Sequence, residues 1–162
     1  MRCAVLRLTA LALACAAAFP AEAPTAPLTV CEVARDLAGE EGKEVAVLGR
    51  YSFRTNGGRS LNEQACDPAA AAPPQLNLVE DSKDAPKPPG NFELDAAVLR
   101  HKFADVQKRT QLGKFRFGTP DYDRWAVVYG RVEARKGADA AKFPANLLFR
   151  GDGVVVFLRP DQ

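Results

Sequence analysis

The sequence predicts a mainly β domain of the α+β class: a small, closed antiparallel sheet with one helix ahead of it and a second helix between its third and fourth strands. Three observations predict this. Stretches with apolar residues at alternate positions recur, as at Val45, Val47, Gly49 and Tyr51, and Trp125 to Ala134 is the strongest strand candidate. Most of these stretches are joined by Gly- and Pro-rich connections without the crossover helices that a parallel α/β sheet needs. One long segment of helical period, Glu93 to Leu112, interrupts them.

The first element is a helix. Thr29-Val30-Cys31-Glu32 has the S/T-x-x-E form of a capping box, in which the hydroxyl accepts an orphan N–H and the glutamate returns to the cap's own N–H. Val30, Val33, Ala34 and Leu37 form its apolar stripe, and Gly39 and Gly42 bracket its end. Lys43 to Phe53 reads as the first strand, and Asn56-Gly57-Gly58 supplies the positive-φ residues of a hairpin turn. Arg59 to Glu63 returns toward Cys66, residues 67–74 are a Pro/Ala-rich loop, and Gln75 to Val79 is a third strand with Leu76 and Leu78 on one face. Half of the 12 prolines fall between Pro68 and Pro89, which marks that region as irregular and exposed. The second helix carries Ala96, Leu99, Phe103 and Val106 at 3-4-3 spacing and stops at Gly113. Trp125 to Ala134, Leu147 to Phe149 and Val154 to Leu158 complete the strands, the last two around Gly151-Asp152-Gly153. A helix between the third and fourth strands of a small closed sheet is the OB-fold arrangement, so an OB-fold-like barrel with an N-terminal helix is expected.

The chain divides into residues 1–18, 19–28 and 29–162. Arg2 and Arg7 precede an apolar Ala/Leu run from Ala4 to Ala18, too short to span a bilayer comfortably and of the length of a secretory signal core. Ala16-Ala17-Ala18 offers the small residues of a cleavage site, and lipoprotein processing at Cys15 is the lesser alternative. Residues 19–28 read as a Pro/Ala-rich tether and 29–162 as a single domain, exported to a periplasmic or extracellular location. No other segment resembles a transmembrane span. The formal charge of +2 belongs to Arg2 and Arg7 alone, and residues 19–162 sum to zero, which disfavours nucleic acid or an acidic membrane as a bulk-charge partner. That zero is segregated: residues 19–93 hold 7 basic and 12 acidic side chains, and residues 94–162 hold 13 and 8.

With Cys3 and Cys15 in the signal, Cys31 and Cys66 are left, and an exported chain most simply pairs them. The alternatives are two free thiols or half of a metal site, although the spacing is not CxxC and His101 is the only histidine.

The segments Thr29-Val30-Cys31-Glu32-Val33 and Gly42-Lys43-Glu44-Val45-Ala46-Val47-Leu48-Gly49-Arg50, followed by Cys66, resemble small secreted bacterial OB-fold-like proteins of unknown function. Val127-Val128-Tyr129-Gly130-Arg131-Val132-Glu133 is similar to a later strand of theirs, and Phe143-Pro144-Ala145-Asn146-Leu147 to the loop that follows. The resemblance covers about half of the mature chain. It implies an extracytoplasmic domain and brings no catalytic residue, and the helix over 93–112 is longer here than is usual among those proteins.

No catalytic set, metal set or cofactor is predicted. His101 is expected to face solvent, and none of Ser52, Ser60 or Ser82 lies in a G-x-S-x-G turn. Asp121-Tyr122-Asp123 fails as a calcium loop because Trp125 takes the third alternating position. Asn56-Gly57-Gly58-Arg59 lacks the lysine-hydroxyl pair of a P-loop. The expected function is therefore that of a noncatalytic secreted binding or interaction domain, with Arg50, Tyr51, Phe53 and Arg54 as the candidate ligand face for an oligosaccharide, peptide or protein. A second reading is a polyanion binder using Arg100, Lys102, Lys108, Arg109, Lys114 and Arg116, interleaved with Phe115 and Phe117. A third is a hydrolase with a dispersed carboxylate site drawn from Asp121, Asp123 and Glu133.

Overall fold

A computed structural model of the chain describes residues 23–64, 66, 74–113 and 122–158. The expected export signal, together with Lys114, Phe115, Arg116, Phe117 and Asp121, lies outside the described residues. Among those described, no helix is long and apolar enough to cross a membrane.

The fold is a mainly β, OB-fold-like barrel. Its elements are β1 (Leu28–Thr29), α1 (Val30–Arg35), α2 (Leu37–Glu40), β2 (Glu44–Arg54), β3 (Gly58–Asn62), β4 (Gln75–Glu80), α3 (Ala96–Arg109), β5 (Tyr122–Ala134), β6 (Ala145–Phe149) and β7 (Val154–Leu158). The strands run in the order β1-β2-β3-β4-β6-β5-β7, and a further pairing of β2 with β5 closes the ring. Pairings β2–β3, β3–β4, β5–β6 and β2–β5 are antiparallel, as expected, whereas β4 and β6 are parallel. One parallel pair is unavoidable, because strand direction cannot alternate all the way round a ring with an odd number of strands. The long crossing from β4 through α3 to β5 supplies the connection that this pair requires.

The capping box forms as predicted: Thr29 Oγ1 accepts the Glu32 N–H at 3.2 Å, and Glu32 Oε2 accepts the Thr29 N–H at 2.7 Å. The helix is interrupted at Asp36, whose carboxylate accepts the Gly39 N–H and starts α2. This is the usual competition of a short acidic side chain with the helix ladder. The end of the expected tether is fastened, since Thr25 donates its N–H to Glu93 O and accepts the Asp95 N–H.

Period-2 alternation sorts β2 into two faces. Val47 and Tyr51 point into the barrel, where they meet Leu61, Leu76, Leu78, Val128, Leu147 and Phe149, and α1 adds Val30 and Val33 to the same core. Gly49 makes that approach possible: a Cβ there would stand 2.8 Å from Leu61 Cγ and 2.9 Å from Val30 Cγ2. On the outer face, Ala46 and Leu48 join Trp125, Val127 and Tyr129 beneath Phe103 and Val106 of α3. α3 therefore covers half of the outer wall of β2 and β5. The β2–β3 turn places Gly58 at φ +73°, a conformation that glycine adopts without strain.

Candidate functional site

Beyond the cover of α3, the outer face of β2 turns polar. Arg50, Ser52 and Arg54 replace the apolar residues at successive outward positions. The register sets Ser52 opposite Ser60 on β3 and opposite Asp123 on β5. Asn62 Nδ2 donates to Ser52 Oγ and Ser60 Oγ, each at 3.1 Å. These groups line a cleft of about 230 Å³. Gln75 of β4 also lines it, with Gly57 from the β2–β3 connection and Lys142 and Phe143 from the β5–β6 connection. OB barrels dock ligands on the face of their second and third strands, which correspond to β3 and β4, and at these two connections.

Asp123 anchors the wall. Its side chain is 2% exposed and accepts from Ser52 Oγ and from Arg54 Nη2, with Arg50 Nε at 3.7 Å. Its other oxygen accepts the Gly113 N–H at 2.8 Å, and Arg50 Nη1 reaches Gln111 O at 2.7 Å. The residues that follow α3 are thereby tied to β2. Burial pushes the Asp123 carboxyl up, but the Ser52 hydroxyl and the Arg50 and Arg54 cations outweigh it and hold it below the usual carboxylate value. Held ionised, it suits an anchor better than a proton donor.

A depressed native pKa means that the stabilisation is present above the unfolded value of about 3.9 and is lost as pH falls through the folded value. Asp123→Asn should cost roughly 1.5–3 kcal/mol at neutral pH. Urea unfolding of both proteins should show this difference shrinking below about pH 4. A pH-independent difference would contradict the anchoring role.

The expected ligand face divides. Arg50 and Arg54 line the cleft, but Tyr51 is a core residue whose hydroxyl burial pushes up to about 12. Phe53 is half-buried and stacks on Tyr122 at 5.6 Å between centroids. Alternating positions of one strand cannot share a face. No sequence pattern points to Asn62, Gln75 or Lys142, and Ser52 and Ser60 enter from sequence only as possible triad nucleophiles. Pleat parity alone would have grouped Ser52 with Arg50 and Arg54.

The expected polyanion patch divides as well. Lys102 Nζ binds the Glu32 carboxylate at 2.6 and 2.8 Å, joining α3 to α1. Arg109 Nη2 meets Glu63 Oε1 at 2.8 Å. Lys108 pairs with Asp105 on the surface, Arg100 is exposed, and Lys114 and Arg116 are outside the described residues. The segregated charges thus meet within the fold, acids from the first half against cations of α3. His101 faces solvent, its side chain 81% exposed.

Cys31 and Cys66 lie at disulfide distance, with Cα atoms 5.2 Å apart. Beside them Glu63 is fully buried, and its Oε2 accepts the Cys31 N–H at 2.9 Å. Its Oε1 faces Arg109 as an ion pair rather than in hydrogen-bond alignment. The two sulfurs and this carboxylate lie within 4.8 Å of one another, but the sulfurs face each other at bonding distance and the carboxylate is committed to Arg109. Of the carboxylates considered for hydrolysis, Glu133 pairs with Arg131 at 3.3 Å, Asp123 is the anchor above, and Asp121 is outside the described residues.

Compared with family models, with curated proteins and with solved structures, the chain matches none.

Proposed function

We propose that this is an exported, noncatalytic binding domain that takes a polar ligand in the cleft between the β2–β3 and β5–β6 connections. One observation carries the reading: the outer face of β2 changes from apolar to polar where α3 ends its cover, and the polar half opens into the cleft. A wall needed only for stability would be apolar and covered along its whole length. The paired cysteines agree with export to an oxidising compartment. Arg50 and Arg54 remain from the expected ligand face, while Tyr51 and Phe53 support it from within.

The test is amide chemical-shift mapping with a panel of oligosaccharides and peptides. A binder should shift amides across 50–62 and at 142–143. Ser60→Trp or Gln75→Trp, which fill the cleft, should abolish those shifts while leaving circular dichroism unchanged. Shifts confined to α3, or conversion of the bound molecule to product, would contradict the reading.

A further inference from the structure

We propose that the ligand is an acidic saccharide, its anionic group held between Arg54 and Lys142. This rests on the cleft being the binding site. Arg54 ends β2 at one connection and is 41% exposed, whereas Lys142 is exposed at the other. The acids nearby are buried and paired: Asp123 is 2% exposed against Arg54 and Arg50, and Glu63, which lines the cleft, is fully buried against Arg109. The accessible charge of the cleft is thus cationic. Lys142 has no carboxylate at ion-pair distance among the described residues, and its ammonium lies 5.1 Å from the centroid of the Phe143 ring.

The floor between these cations is neutral and hydrogen-bonding. Ser60, Asn62 and Gln75 present hydroxyl and amide groups, the complement of sugar hydroxyls. Nucleic-acid bases fit less well, because single-strand binding needs open aromatic platforms. Phe143, the aromatic residue lining the cleft, is only 8% exposed, with Lys142 and Arg135 over its ring. An extended peptide would add to a free strand edge. Among the described residues, the strand segments that line the cleft offer none, since β2 pairs with β3 and β5, and Ser60–Asn62 of β3 pair with β2 and β4. An acid-bearing sugar chain satisfies both the rim and the floor.

The experiment is titration calorimetry of the chain at low salt with hexagalacturonate and its neutral methyl ester. The acid form should bind, and the ester should bind about tenfold more weakly or worse. Lys142→Gln should lower affinity for the acid form by a similar factor and leave the ester unchanged. Arg100→Gln and Lys108→Gln, on the exposed part of α3, should change neither. Equal binding of acid and ester, abolished by Ser60→Trp, would overturn the acidic assignment and leave the cleft standing. Binding that survives Ser60→Trp would overturn both. Failure of hexagalacturonate to bind, or tighter binding of a single-stranded hexanucleotide, would overturn the saccharide assignment.

Discussion

Arg109→Ala is expected to destabilise the domain by about 3–5 kcal/mol, the usual result of stripping the partner from a buried charge. Glu63 is fully buried, and without Arg109 its carboxylate keeps, among the described residues, the Cys31 N–H alone. The cost comes from the stranded charge rather than from the worth of the pair. A second change should therefore restore much of the loss: Glu63→Gln in the Arg109→Ala background removes the charge and keeps the shape. Chemical denaturation of the two single variants and the double variant measures this directly. A loss below about 1 kcal/mol for Arg109→Ala would place the pair among ordinary surface ion pairs. The same variant separates two roles of α3, because a residue devoted to external polyanions would change salt-dependent binding and leave stability alone.

Removal of the Cys31–Cys66 link should cost a comparable amount. The bridge would span 35 residues of chain, for which the loop-entropy relation gives roughly 3–4 kcal/mol. Cys31→Ala/Cys66→Ala should lower the denaturation midpoint accordingly, and reductant should lower that of the parent protein but not that of the variant. Alkylation of the native, unreduced chain should modify neither residue. Modification of both would show that the thiols are free and would remove the basis of the expected loss.

Those features of the fold that depend on near neighbours in the chain were legible in the sequence. The capping box at Thr29 is a four-residue pattern, and it forms. Alternation in β2 and helical spacing in α3 name the same core residues that the fold buries, Val47 and Tyr51 in one case and Phe103 and Val106 in the other. The break at Asp36 shows the limit of an apolar stripe, which counts side chains but not a carboxylate that caps its own downstream turn. The site was read less well, for two physical reasons. Grouping Tyr51 and Phe53 with Arg50 and Arg54 followed their chemistry and ignored the pleat. The use of Lys102 and Arg109 depends on acids 70 and 46 positions earlier, Glu32 and Glu63, and no local pattern reports which distant strand or helix will lie beside them. Lys142 and Phe143 entered the site for the same reason, since the closing of the ring brings the β5–β6 connection to β2 and β3.

The closure of the ring through β2 and β5 sets an order of events during synthesis. The β2–β3–β4 meander and both cysteines lie within the first 80 residues and contact one another locally. β2 must then wait for partners encoded far downstream: Ser52 meets Asp123 across 71 positions. Until β5 arrives, one edge of β2 stays open, and the outer-face cluster that Ala46 and Leu48 share with Trp125, Val127 and Tyr129 is incomplete. Pairing of such remote strands is the slow step of small β domains, and an open edge is the place where they aggregate. A bridge between Cys31 and Cys66 would shorten the effective search by holding α1 against the end of β3. The half-built barrel is therefore the state most in need of protection in this molecule, and it persists until the last third of the chain has emerged.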